Sequence, residues 1–272
     1  MTPATIRFAQ SGTVWGFVER VGPVRGAFIL SIILSLIALS AAITPNDDGM
    51  LYVETAQAYQ AGGLEAARPY FDWLFLPILM ATVSSLTGLG AEASGYLLST
   101  LFIAATCSLI VACCREMLPQ TGWAAMAVVL TVPALNDYRD HILREFGAWF
   151  LLFLAFWLLL RWARRPGWMG AFAVQAVIGA AGLFRPEALV FLAVPVLWQL
   201  LAIRQPGGVR RLAMFLALPC FGLLALGGLM ASSETGLSGR VAHQLSAIDL
   251  SSKLTRFDAL AEEVGSHMPT KY

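Results

Sequence analysis

Three short charged constellations interrupt a strongly apolar chain, each at the end of an apolar run. The first, Asn46-Asp47-Asp48-Gly49, follows the run Ala27 to Ile43 and precedes Tyr52, Glu54 and Tyr59 at helical spacing. A carboxylate beside a membrane can act as general base toward an acceptor hydroxyl or amine. One of the two aspartates can instead cap a helix beginning near Met50 and leave the other free. The second constellation runs from Asn136 to Glu145 and contains Arg139 and Arg144, whose guanidinium groups offer several donors to phosphate oxygens. The same stretch can neutralise itself, with Arg139, Asp140, Arg144 and Glu145 pairing along one short helix. His141 alone reads as an interface residue rather than an acid-base group. The third is Phe184-Arg185-Pro186-Glu187. Charge so close to hydrocarbon is costly and turns toward a cavity or a bundle partner, so Arg185 is either a second phosphate contact or the partner of Glu187 in a tight turn. Acids for a base and arginines for a phosphate together suggest chemistry on a lipid-linked phosphate donor. No nucleotide loop, metal-ligand spacing or catalytic serine or cysteine arrangement is present in the pattern, so no cofactor is expected, with a divalent metal left open.

The elements that must position these groups are transmembrane helices. Hydrophobic residues make up 58% of the 272, charged residues 13%, and mean hydropathy is +0.70, which excludes a water-soluble domain. Apolar segments run from Ala27 to Ile43, Trp73 to Leu89, Ser94 to Cys114, Trp123 to Leu135, Phe146 to Leu160, Trp168 to Leu183, Leu189 to Ile203 and Leu212 to Met230. If all eight crossed from an inside N-terminus, the loops bearing Arg161, Arg164, Arg165, Arg204, Arg210 and Arg211 would land outside, against the positive-inside tendency. If Trp73 to Leu89, which contains Pro77, lies along the interface, every arginine-rich loop becomes cytoplasmic. The expectation is an all-α polytopic membrane protein of about seven helices with a juxtamembrane helix in its first outer loop.

In domain terms this gives a cytoplasmic N-terminus over residues 1–25, a core over 26–231 with its outer loop at 44–93, and an outer-face tail over 232–272. Apolar residues from Val241 to Val264 recur at three- and four-residue spacing among charges, the pattern of an amphipathic helix, and the ending suggests a piece of a longer protein. Ala104, Ser108 and Ala112 form a small-residue row suited to close helix packing. The four cysteines lack ligand spacing and read as packing residues. The net charge of +1 says nothing about partners, and no nucleic acid is expected.

In order along the chain, these motifs resemble the GT-C superfamily of membrane glycosyltransferases, in particular the branch of protein O-mannosyltransferases and bacterial lipid A aminoarabinose transferases. Asn46-Asp47-Asp48-Gly49-Met50-Leu51-Tyr52 is similar to the acidic pair and tyrosine-bearing helix of that family, with Asp48 where the family usually shows Glu. Arg68-Pro69-Tyr70-Phe71-Asp72-Trp73-Leu74 through Pro77 matches its juxtamembrane segment. Tyr138-Arg139-Asp140-His141-Ile142-Leu143 and Arg185-Pro186-Glu187 match its later polar segments. The resemblance implies inverting transfer of a sugar from a polyprenyl-phosphate donor on the periplasmic face of a bacterial inner membrane. It implies Asp47 as base, Asp48 as supporting acid, and Arg139 and Arg185 on the phosphate. Tyr52, Arg144 and Glu187 complete the expected substrate-binding set. The competing reading is a non-catalytic membrane module that binds a lipid carrier. A transporter is disfavoured because the span interiors carry no Asp, Glu, Lys or Arg.

Overall fold

Nine α-helices can be followed in the computed structural model, which describes residues 14–41 and 44–217; no strand occurs among them. They are α1 (Val14–Ala41), α2 (Asp47–Ala67), α3 (Phe75–Thr87), α4 (Ala91–Met117), α5 (Gly122–Thr131), α6 (Pro133–Asn136), α7 (Arg144–Arg164), α8 (Trp168–Phe184) and α9 (Ala193–Leu201). A tight 3-10 segment, Pro186–Leu192, leads into α9, and the chain is helical again from residue 208. All of this belongs to the first of two units, Met1–Leu216. The amphipathic tail expected over 232–272 lies outside the described residues.

Among the described residues three helical stretches are long and apolar enough to cross a membrane: Val21–Ala41, Ala91–Met117 and Arg144–Arg164. Phe75–Thr87, Trp168–Phe184 and Pro186–Leu201 are apolar but shorter. At 13 residues α3 is about 20 Å long. That falls short of a hydrocarbon core of roughly 30 Å, so length alone argues against a crossing at Trp73 to Leu89. The segment expected to span at Trp123 to Leu135 returns from the basic to the acidic end of the bundle, but not as one continuous helix. Its helix stops at Thr131, Val132 is extended (φ −62°, ψ 115°), and a four-residue helix restarts at Pro133. Proline has no N–H to donate to Val129 and its ring crowds that carbonyl, so the helix cannot continue through it. Asn136 Nδ2 caps the broken end instead, donating to the Leu130 carbonyl at 3.0 Å.

Packing fixes the direction of each helix. Ser108 Oγ donates to the Val24 carbonyl at 3.0 Å, and Ala104 is fully buried, so the small-residue row of α4 lies against an antiparallel α1. Helices α4 and α7 run parallel, with Phe102 stacked on Phe150 toward one end and Glu116 paired with Arg164 at the other. Helix α8 returns antiparallel, its Phe184 ring lying on Gly147 of α7 so closely that a Cβ there would force the ring to shift. The result is a bundle with two chemically distinct ends. One gathers Arg25, Arg115, Arg161, Arg164 and Arg165; the other gathers the starts of α2, α4 and α7 and the end of α8, with Asp47, Asp48, Glu92, Glu145 and Glu187. The cores are layered accordingly. Tyr52, Leu76, Met80, Ile142 and Phe184 pack at the acidic end, Ala27, Cys107, Val111 and Val129 join α1, α4 and α5, and Trp162, Val174, Met214 and Phe215 close the basic end.

Candidate functional site

Helix α2 starts at Asp47, so Asp47 and Asp48 occupy its first turn, where the unpaired N–H groups favour negative charge. Neither caps it: Asn46 holds the N-cap position, and its side chain serves another purpose, accepting from the Ile142 N–H at 2.9 Å. This bond anchors the loop before α7 to the start of α2. Gly49 is needed beneath it, since an added Cβ would lie 2.6 Å from Asn46 Oδ1 and 3.2 Å from Ile142 Cβ. Both aspartates are exposed, their carboxylates free of the capping role that the sequence left open.

One turn along α2, Tyr52 is buried and meets Phe71 edge-on, ring centroids 5.4 Å apart. Burial pushes its phenol up to about 12, with Arg144 pulling it down and Asp48 and Glu145 pushing it up. It is therefore a protonated hydrogen-bond donor at physiological pH and no base. The Arg144 guanidinium sits over the other partner of this pair, 5.6 Å from the Phe71 centroid.

Across the site, Arg185 Nη1 donates to Glu145 Oε1 at 2.7 Å and Nε to Glu187 Oε2 at 3.4 Å. The Glu187 partner expected in the turn is present, and Glu145, which the motif did not suggest, is the closer. The Glu187 carboxyl is held below its ordinary value by its own backbone amide and then by Arg185. Arg144 Nε stays 4.0 Å from Glu145 Oε1, too far for a hydrogen bond. Arg144 Nε and Glu145 Oε2 are buried without a protein partner. A donor and an acceptor therefore remain to be satisfied between α2, α7 and the Arg185 turn. Trp73 fastens the juxtamembrane segment to this turn, its indole N–H donating to the Leu183 carbonyl at 2.6 Å.

Arg139 does not join this cluster. It is only 3% exposed and turns away from the acidic end into the bundle. There Nη1 donates to the Ser31 carbonyl, Ser31 Oγ and Ser35 Oγ at 3.0, 2.9 and 3.1 Å, and Nε to Asn136 Oδ1 at 2.7 Å. The expectation of a phosphate contact at the surface is corrected for this residue, because its guanidinium is used to strap the broken α5 to the middle of α1. Pairing of Arg139 and Asp140 along a short helix is corrected too: Asp140 engages His141 Nδ1 at 2.7 Å, and the His141 ring lies edge-on to Tyr138. The bundle interior is also not free of charge, since Arg139 enters it from a loop.

Trp149, one turn after Glu145 on α7, and Phe191, four residues after Glu187, border an apolar groove of about 440 Å³ between α7 and the Pro186–Leu201 segment. Phe153, Phe156 and Val194 continue it. Sequence reasoning missed Phe71, Trp73 and this groove as parts of one site. The aromatic string at Phe71 and Trp73 was visible, but nothing local to it indicated which charge it would meet. Among the described residues no group of three or more His, Cys, Asp or Glu side chains could hold a metal ion. No family model matches the chain, and no curated protein or solved structure matches it either.

Proposed function

We propose that the protein transfers a sugar from a polyprenyl-phosphate donor to an acceptor at the face of the membrane away from its arginine-rich loops. The observation that carries this reading is the junction of a polar cluster, Arg144, Glu145 and Arg185, with an apolar groove that begins within one turn of it. A molecule with one phosphate and a long hydrocarbon tail has that division, and guanidinium groups suit its oxygens. The resemblance to GT-C enzymes supplies the reaction type and the seven-span orientation, with an inner membrane of a bacterium as its location.

In this reading Asp47 removes the proton from the acceptor hydroxyl or amine as that atom attacks the anomeric carbon from the side opposite the phosphate. The bond from that carbon to the phosphate oxygen breaks, and the oxygen leaves with its electron pair as polyprenyl phosphate. Arg144 and Arg185 neutralise the charge that develops there, which is the largest contribution fixed groups can make to such a step. Asp48 supports Asp47, Glu187 and Glu145 orient Arg185, and the Tyr52 phenol donates a hydrogen bond. A non-catalytic lipid-carrier-binding module would need the same arginines and groove but not the aspartates.

The test separates the two. Purified protein is given a panel of polyprenyl-phosphate sugars, and release of free polyprenyl phosphate is followed by mass spectrometry. For an enzyme, the Asp47→Asn, Asp48→Asn double variant loses about 10²-fold or more of the turnover, the scale of a general base, while donor binding is retained. Turnover undiminished in the double variant removes the aspartates from the chemistry. Donor binding without turnover in the unaltered protein supports the binding module.

A further inference from the structure

A second cavity lies at the opposite, basic end of the bundle. It has a volume of about 710 Å³ and is walled by Pro23 and Arg25 of α1, Arg115 and Glu116 of α4, Pro119, and Trp157 of α7. Gly22 adopts φ +68°, ψ 163°, which breaks α1 just before Pro23, at the point where α1 lines the cavity.

Its charge is unbalanced. Glu116, the only acid among the described residues of the lining, is taken up by Arg164. Arg161 lies over the Trp157 ring at 4.8 Å. Arg25 and Arg115 are exposed, and among the described residues neither has a carboxylate partner. Two guanidinium groups with no carboxylate partner among the described residues therefore border a cavity of ligand size, together with an indole of the kind that sits at membrane surfaces.

The hydrocarbon side is equally defined. From Arg25 along α1, Ile29, Ile33, Leu36 and Ile37 follow at helical spacing and are all exposed, giving an apolar track that begins one turn from the cavity. Positive-inside orientation would explain the number of arginines at this end, but not a walled cavity continuous with an apolar track.

We propose that this cavity holds the phosphate headgroup of an anionic membrane phospholipid, with its acyl chain along the exposed face of α1. Basic pockets between helices at the positively charged side of a membrane protein recognise such headgroups. The site is separate from the sugar-transfer site and does not depend on that reading.

The test is native mass spectrometry of the full chain in detergent with phosphatidylglycerol, cardiolipin, phosphatidylethanolamine or inorganic phosphate added singly. The variants are Arg25→Gln, Arg115→Gln together and, as a control for general surface charge, Arg165→Gln, a residue of the same end that does not line the cavity. Retained secondary structure by circular dichroism and a single elution peak are required of each variant. The expected result is retention of phosphatidylglycerol or cardiolipin, at least a tenfold fall in the double variant and no fall in Arg165→Gln. Equal retention of phosphatidylethanolamine, an equal fall in Arg165→Gln, or binding of inorganic phosphate without either anionic lipid would each overturn the proposal.

Discussion

At the scale of single residues, burial decides which charged and polar groups are free to act. Tyr52 and Asp48 stand one turn apart on α2, yet one is buried and protonated while the other is exposed. The sign of the Tyr52 effect follows from linkage. Its phenol is raised from 10.0 to about 12 in the folded protein, so between those values the folded state holds a proton that the unfolded state has released. Stability is therefore full below pH 10 and falls as pH rises through that window. Thermal melts of the unaltered protein and of Tyr52→Phe from pH 9 to 11.5 should converge toward the upper end, because phenylalanine carries no such term. Parallel curves would show that Tyr52 titrates normally. Arg139 illustrates the opposite use of burial. A guanidinium that costs much to desolvate is retained between helices with four hydrogen bonds from Nη1 and Nε, while its Nη2 is buried without a protein partner.

At the scale of elements, close approach of helices sets the site. Helix α7 carries Arg144 and Glu145 and α8 ends at Arg185, and the contact of Gly147 with the Phe184 ring is what brings these ends together. Gly147→Ala should cost about 1–3 kcal/mol, the usual range for overpacking, and should lengthen the Arg185 to Glu145 pair. Gly179→Ala on the same helix as Phe184 meets nothing within 4 Å and should be neutral or raise stability by about 0.5–1 kcal/mol, since glycine is costly inside a helix. Comparing their melting temperatures in one detergent checks both, and an equal effect of the two would contradict the packing account. The elements themselves were largely legible in the sequence. The apolar runs beginning at Ala27, Ser94, Phe146 and Trp168 form helices, and Pro77 and Asp72 mark a short segment. The break at Pro133 was equally written there, but a continuous apolar run hid it. The inward turn of Arg139 was not legible, because its partners Ser31 and Ser35 lie 108 and 104 residues away, whereas Asp140 and Glu145 are near neighbours. Arg185 meets Glu145 across 40 residues for the same reason, so only its bond to Glu187 could be anticipated from the motif.

At the scale of the whole bundle formed by the described residues, two ends of opposite character flank an apolar middle, and each presents charge beside apolar surface. At the acidic end, carboxylates stand next to Arg185, which Glu145 and Glu187 hold, and Arg144, whose Nε is unpartnered, beside a groove of aromatic side chains. At the basic end, Arg25 and Arg115, without a carboxylate partner among the described residues, border a cavity. The segregation was foreseeable from the loops, since arginines and acids alternate along the chain from one connection to the next. The assignment of a phosphate-bearing polyprenyl chain to the acidic end is the central claim. Its most direct test is the binding of polyprenyl phosphate to the purified protein by native mass spectrometry, comparing the unaltered chain with an Arg144→Ala, Arg185→Ala double variant. The account predicts a bound lipid whose occupancy falls at least tenfold in the variant. Occupancy unchanged by the double substitution, or no bound lipid in the unaltered chain, would contradict it.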